Sequence, residues 1–392
     1  MSDNTKIEWT NATVNAVNGC SVISPGCKHC YAMKQAHRFP VRQGLTHKTA
    51  GGMVWTGEVR FSESALRQPL RWKRPRKIFW NAHGDLFHEN VPDEWIDRVF
   101  AVCALTPQHQ HQILTKRSAR MRAYCSDPHT PERIARVILD LGADWGVSGA
   151  QALAPLGNRA TEADPSFVIW PLSNVWLGVS VEDQQRADDR IPDLLATPAA
   201  VRFLSCEPLL GPVDLASPYT LGLWNEKANE RGILGDARMD PTTGLWDVSG
   251  EDLLPGLDWV IVGGESGPGA RPMHPDWARW LRDQCAAAGV PFFFKQWGEW
   301  APVSDIDIDA MEDKLYYPAP AQVPEATRRC AVEQCVLHRN GHRFAMNEWS
   351  AVQDDETLRA FQAGCGGMTM MRLGKARTGR LLRGIQHDGM PA

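Results

Sequence analysis

The sequence predicts an α/β protein built on a parallel (β/α) barrel, partial or full, that carries two loop-rich insertions. Three observations predict it. Short, near-continuous apolar runs alternate with helical patterns, which is how strands covered on both faces read. Polar residues follow the carboxyl end of nearly every run, and those ends converge on the rim where a parallel barrel carries its site. The 392 residues suffice for one barrel with insertions. An open doubly wound sheet, with its site at a switch point, is the alternative topology.

In chain order, residues 77–81 read as a buried strand that runs into the loop Ala82–Phe87. Pro92, Asp93 and Glu94 open a helix, since proline suits the first turn and acids suit the positive dipole end. The apolar spacing of Trp95, Val99, Val102 and Ala104 continues it. A strand over 110–114 ends at Thr115, Lys116 and Arg117, with a helix at about 118–125. Residues 141–171 are rich in Gly, Ala and Pro and read as an insertion. Val175–Ser180 is a strand that ends at Glu182 and Asp183 ahead of a helix, and Val201–Ser205 is a strand that ends at Glu207. Residues 217–256 form the second insertion. Trp259–Val262 is a strand that ends in Gly263, Gly264 and Glu265. A helix through Trp277, Trp280, Leu281 and Cys285 leads to a last strand, Val290–Lys295. Residues 1–300 therefore form the barrel domain, and 301–392 an extension packed on it.

Composition narrows the class. With 43% hydrophobic and 22% charged residues, a disordered chain or a fibre is excluded. No apolar run reaches about 18 residues, and the first residues lack an apolar leader, so a cytoplasmic protein without membrane contact is expected. A net charge of −4 argues against a generally basic nucleic-acid coat but leaves room for a local groove. The 16 Trp serve either as core or as a stacking platform. Ten Cys in a cytosolic chain should be reduced or metal-bound.

Three of them cluster as Cys20-x6-Cys27-x2-Cys30, in a loop turned by Gly19, Pro25 and Gly26. Zinc would need a fourth ligand, for which His29 is the neighbour at hand, and a zinc knuckle is the structural alternative. A [4Fe–4S] cluster on three Cys leaves one iron open for a small molecule. Elsewhere, six cations occur over 67–77, among them Arg71, Lys73 and Arg74 around Trp72, the arrangement needed for phosphate tracking and base stacking. Residues 372–383 carry five more. The alternative for such runs is a solvated face. Cys330, Cys335, His338 and His342 are zinc-ligand types, too closely spaced for a standard finger. No Walker loop, nucleophile elbow or His-Glu-x-x-His occurs.

The three-Cys loop ahead of a (β/α) barrel resembles the radical S-adenosylmethionine superfamily, although x6 replaces the usual x3 and His29 stands where an aromatic precedes the last Cys. Over most of its length the chain is similar to the phage three-cysteine-motif proteins, the gp thirty-seven/gp sixty-eight family of unknown function. The matching stretches are 6–10, 84–89, 114–117, 178–182, 205–209, 263–267, 295–298 and 374–375. The superfamily resemblance implies a cluster on Cys20, Cys27 and Cys30, whose open iron binds S-adenosylmethionine. Reductive cleavage then yields a 5′-deoxyadenosyl radical that abstracts a substrate hydrogen. Asn81, Asp85, Ser180, Glu182 and Glu207 are the candidates for cofactor binding, with Gly263, Gly264 and Glu265. Lys116 and Lys295 are the catalytic candidates, and Lys295 either binds a substrate anion or pairs with a rim carboxylate. The implied partners are an electron donor such as flavodoxin or ferredoxin, in a bacterial host, and a nucleic acid or nucleotide substrate. Modification or repair of that substrate is the expected reaction. A non-enzymatic zinc or iron–sulfur protein that binds DNA or a protein partner is the alternative.

Overall fold

Seven runs of β-branched and aromatic residues, each too short for a helix, form seven parallel strands in a computed structural model of the chain. The structure describes residues 5–36, 38–156, 168–215, 238–239, 246–247, 256–307, 315, 330–355, 358 and 364–391. The strands are β1 (Ala12–Val14), β2 (Lys77–Trp80), β3 (Gln110–Thr115), β4 (Val175–Ser180), β5 (Val201–Cys206), β6 (Trp259–Gly263) and β7 (Phe292–Gln296). Their order in the sheet is their order in the chain, so the sheet has no switch point and curls into a half barrel. That order decides against the doubly wound alternative, which requires a reversal. The strand expected over 290–295 starts two residues later, after Pro291.

Helices α2 (Asp93–Ala104), α3 (Ser118–Ser126), α4 (Thr130–Leu141), α5 (Gln184–Leu195) and α6 (Pro275–Ala287) flank the strands, and the six-residue α1 (Tyr31–Ala36) follows the cysteine loop. Their starts are written in sequence. Asp183 caps α5 by accepting from the Arg186 amide, and His274 caps α6 with Pro275 in its first turn. Helix α4 ends where the first insertion was expected to begin; a short helix, Gly149–Leu153, follows, and residues 157–167 lie outside the described ones. The second insertion also lies outside them, except for Arg238–Met239, which pairs with Trp246–Asp247, and residue 256.

The two sheet faces have different fillings. Ile78, Leu177, Leu204, Val260 and Phe294 join the helices' apolar side chains in one core. The alternate residues Phe79, Trp176, Phe203, Trp259 and Phe293 form a separate aromatic layer with Trp9 on the other face. Trp259 is its fully buried hub, edge-on to Trp9, Trp176 and Phe293 at 5.9–6.0 Å. The Trp excess is therefore largely core.

Beyond β7, strands β8 (Trp300–Pro302), β9 (Gln334–His338), β10 (Arg343–Phe344) and β11 (Gly367–Arg372) form an antiparallel sheet of order β8-β11-β9-β10. Trp300, Leu337 and Met370 belong to the same core as the helices. The chain end then straps the free edge of β7. The Phe294 amide donates to His387 O at 2.9 Å, the Gly389 amide to Phe292 O at 3.0 Å, and Trp259 Nε1 to Gly389 O at 2.7 Å. Lys77 Nζ lies 3.0 Å from Met390 Sδ, so the strap reaches from β7 to β2. Among the described residues, no helix is long and apolar enough to cross a membrane.

Candidate functional site

At even steps beyond the aromatic-face positions, the chain becomes polar at the carboxyl end of the sheet: Asn81, Lys116, Ser180, Glu182, Glu207, Glu265 and Lys295. The period of two therefore brings most of the expected site residues to one rim. Four carboxylates there are tied to cations, and three of these ties also hold the cysteine loop.

At the β3 end, Asp85 accepts from Thr115 Oγ1 (2.7 Å) and the Phe87 amide (3.0 Å) with one oxygen. Its other oxygen takes the Lys116 amide (3.2 Å) and an Arg117 nitrogen (3.1 Å). Asp85 thus has protein partners on both oxygens and acts as a brace. The Arg117 guanidinium continues to Cys20 Sγ (3.4 Å), Ser21 Oγ (2.7 Å) and Glu89 (2.9 Å). At the β4 end, Glu182 is fully buried between Lys116 (3.1 Å), Arg190 (2.9 Å) and Ser24 Oγ (2.6 Å). Burial works against its ionisation, but Lys116, Arg190 and Ser24 hold its carboxyl below the usual range. A Cβ on Gly26 would stand 2.5 Å from the Glu182 carboxyl, so only glycine lets the loop lie on it. At the β6 end, Glu265 takes Arg271 on both oxygens (2.6 and 2.9 Å), and the same guanidinium donates to Pro25 O (2.9 Å).

The fourth tie leaves the loop alone. Lys295 Nζ sits 2.8 and 2.7 Å from the two Glu207 oxygens, the rim-carboxylate pairing that is one of its two expected roles. Gln296 Nε2 shares Glu207 at 3.0 Å, while Gln296 Oε1 is buried without a partner. Asn81 is similar. Its φ of 57° is rare outside glycine, Oδ1 accepts from the Val17 amide at 2.9 Å, and Nδ2 is buried with no partner. Ser180 pairs in register with Ser205 on the same face. Gly263 has ordinary space before Glu207, whereas a Cβ on Gly264 would fall 1.9 Å from Trp297 O. Gly264 therefore serves the contact between two backbone turns rather than the approach of a ligand.

The ten cysteines are unpaired among the described residues. Burial pushes the Cys20 thiol up to about 12, with Asp85 adding to it and Arg117 opposing. Burial also raises Cys30, against the amides of Met33 and Ala32 that point at its sulfur. Cys27 Sγ lies 3.6 Å from Ser24 Oγ. Among the described residues, no group of three or more His, Cys, Asp or Glu side chains is arranged to hold a metal ion, and His29 lies against Gly269. The same holds for Cys330, Cys335, His338 and His342: His338 is buried and uses both ring nitrogens, on Cys365 O and the Asn340 amide.

Arg71, Lys73 and Arg74 are exposed, but they precede β2, at the opposite end of the sheet from the rim. Trp72 is half-buried, edge-on to His109 at 6.1 Å with Arg76 over it at 4.9 Å. Sequence reasoning did not single out Ser24, Arg190 or Arg271; Arg117 was named only at a strand end and in the 114–117 stretch, and Gln296 fell only within the 295–298 stretch.

Residues 4–391 match the family described as protein of unknown function DUF5131. The chain belongs to that family. No curated protein and no solved structure matches it.

Proposed function

We propose that this DUF5131 chain is a radical S-adenosylmethionine-type enzyme of the bacterial cytoplasm that acts on a nucleotide or nucleic acid. One observation carries the reading: three uncrosslinked thiols lie in a loop fixed by three ion pairs over the carboxyl rim of a parallel half barrel. That rim is where such folds do chemistry. Three free thiols in one loop are the donors that a [4Fe–4S] cluster with one open iron takes, whereas a closed zinc site takes a fourth ligand. When bound, a [4Fe–4S] cluster with S-adenosylmethionine would supply one-electron cleavage of the sulfonium bond.

The chain's own residues bind, orient and exclude water. Cys20, Cys27 and Cys30 would hold the cluster, and Arg117 positions Cys20. Asn81 Nδ2 and Gln296 Oε1 offer one buried donor and one buried acceptor to the amino-acid or ribose part of the cofactor. Ser180 lies on the same rim. The Lys295–Glu207 pair is the rim pair not engaged by the loop, which in this reading leaves it to the substrate. An electron carrier of the flavodoxin or ferredoxin type completes the system.

The test is formation of 5′-deoxyadenosine from S-adenosylmethionine by the anaerobically reconstituted protein. The reading expects product that depends on dithionite and is lost in Cys27→Ala. Equal product from wild type and variant, or none from fully loaded wild type, contradicts it.

A further inference from the structure

The chain has a net charge of −4, yet residues 10–57 contain no Asp or Glu and five Lys or Arg. This segment carries the cysteine loop, α1 and the hairpin of Thr46–Thr49 with Gly52–Trp55. Its own small core, including Met33, Ala36, Leu45 and Trp55, packs against Cys20 and Cys30. Among the described residues only three aromatic side chains are exposed, Tyr31 (47%), Phe39 (43%) and Trp280 (46%). Two of the three lie in this segment and meet at one place. Tyr31 and Phe39 both contact the His83 ring, at 5.8 and 6.4 Å. Tyr31 directly follows Cys30, and its hydroxyl donates to Ala82 O at 2.9 Å, beside Asn81 at the end of β2. The pair therefore stands at the mouth of the proposed site.

The electrostatics there are positive. Arg42 stacks on Phe39 at 4.6 Å, is 6% exposed, and its NH1 is buried with no partner. Burial, with Arg42 adding to it, pushes His83 down to about 4, so the ring is neutral at pH 7. Lys28 and Arg38 are exposed and make no ion pair among the described residues. Exposed aromatic faces among unpaired cations are what unpaired bases and their phosphates require. Aromatic faces flanking a histidine favour a base over an acidic protein.

We propose that Tyr31 and Phe39, set about His83, form a stacking platform that brings single-stranded nucleic acid to the cysteine-loop mouth, with Lys28 and Arg38 meeting its phosphates. The inference rests on the proposed site and names its substrate class. It also moves the nucleic-acid surface from Arg71–Arg74 to the rim.

The experiment is equilibrium binding of one fluorescent oligonucleotide, single-stranded and as duplex, across a salt series. The variants are Tyr31→Leu with Phe39→Leu, Lys28→Ala with Arg38→Ala, and the triple Arg71→Ala, Lys73→Ala, Arg74→Ala. The aromatic double variant should lose roughly 5- to 150-fold for each base stacked on the single strand, with the duplex little changed. The Lys28/Arg38 variant should flatten the salt slope by about 0.7 for each phosphate it no longer neutralises. The triple variant should bind as wild type. Tyr31→Phe with Phe39→Tyr keeps both rings and should keep the affinity, so a folding defect is separable from a lost platform. Wild-type affinity in the aromatic double variant, no binding at low salt, loss confined to the triple variant, or equal competition by polyglutamate overturns the proposal. Iron and sulfide content of the same preparations reports on the cluster separately, so a protein that binds the strand without a cluster breaks only the earlier reading.

Discussion

Gly26 shows how tightly the loop is seated. Its missing side chain lets the backbone rest on Glu182, whose carboxylate bonds Ser24, Lys116 and Arg190 at once. Gly26→Ala forces either the loop or the carboxylate to move. The cost should be about 1–3 kcal/mol, the range for overpacking a filled interior. Denaturant unfolding should show that loss, together with reduced iron retention after reconstitution. Unchanged stability and iron would mean that the loop is not pinned there. At this scale the sequence was partly legible. Asn81, Lys116, Ser180, Glu182, Glu207, Glu265 and Lys295 were found because each lies at or just beyond the carboxyl end of a strand. Their partners were not, because Arg190 comes from a helix and Arg271 from a loop, and only the tertiary fold brings them to the carboxylates. In the structure Asp85, Glu182 and Glu265, expected as ligand groups, are tied to side chains that also hold the loop.

Among the elements, β3 carries the clearest pH signature. His111 is fully buried within it, accepts from Trp80 Nε1 at 3.0 Å and contacts Thr106 Oγ1 at 3.0 Å. Burial, reinforced by His109, pushes its pKa down to about 3. The unfolded chain binds this proton near pH 6.5, whereas the folded chain does not bind it until about pH 3. The stability it contributes is therefore fully present above about pH 6.5 and lost as pH falls through that window. Denaturant melts at pH 7.5 and pH 5 should differ for wild type, and differ less for His111→Gln. Equal differences would remove His111 as a source of acid sensitivity. The strands were readable because each is a compact apolar run that ends in turn or charged residues. Helix α4 and the Thr46–Trp55 hairpin were missed: α4 abuts a segment without a clear period, and the hairpin's strands are four residues long and mostly half-buried or exposed.

Across the whole molecule, an open half barrel must close its free edge, and here the chain end does so. Removal of residues 385–392 would strip two backbone bonds from the β7 edge and the carbonyl that Trp259 Nε1 uses inside the aromatic layer. With net values of about 1 kcal/mol per bond, plus the exposed aromatic surface, the loss should be roughly 3–5 kcal/mol and visible as a lower Tm. An unchanged Tm would show that the edge is closed by other means. The sequence could not reveal this strap, since the eight residues Ile385–Ala392 mix polar and apolar types with no period to read. The end of the sheet occupied by the charge run was readable, since Arg71–Arg74 directly precede the strand over 77–81 and so lie away from the cysteines.

The central claim is that the loop of Cys20, Cys27 and Cys30 holds an iron–sulfur cluster over the rim. Iron, acid-labile sulfide and zinc counted per chain after anaerobic reconstitution test it most directly, in wild type and in single Ala variants of the ten cysteines. The account predicts about four iron and four sulfide in wild type, with loss in Cys20→Ala, Cys27→Ala and Cys30→Ala and retention in Cys103→Ala, Cys285→Ala and Cys330→Ala. Stoichiometric zinc without sulfide, or a cluster that survives loss of Cys27, would contradict it.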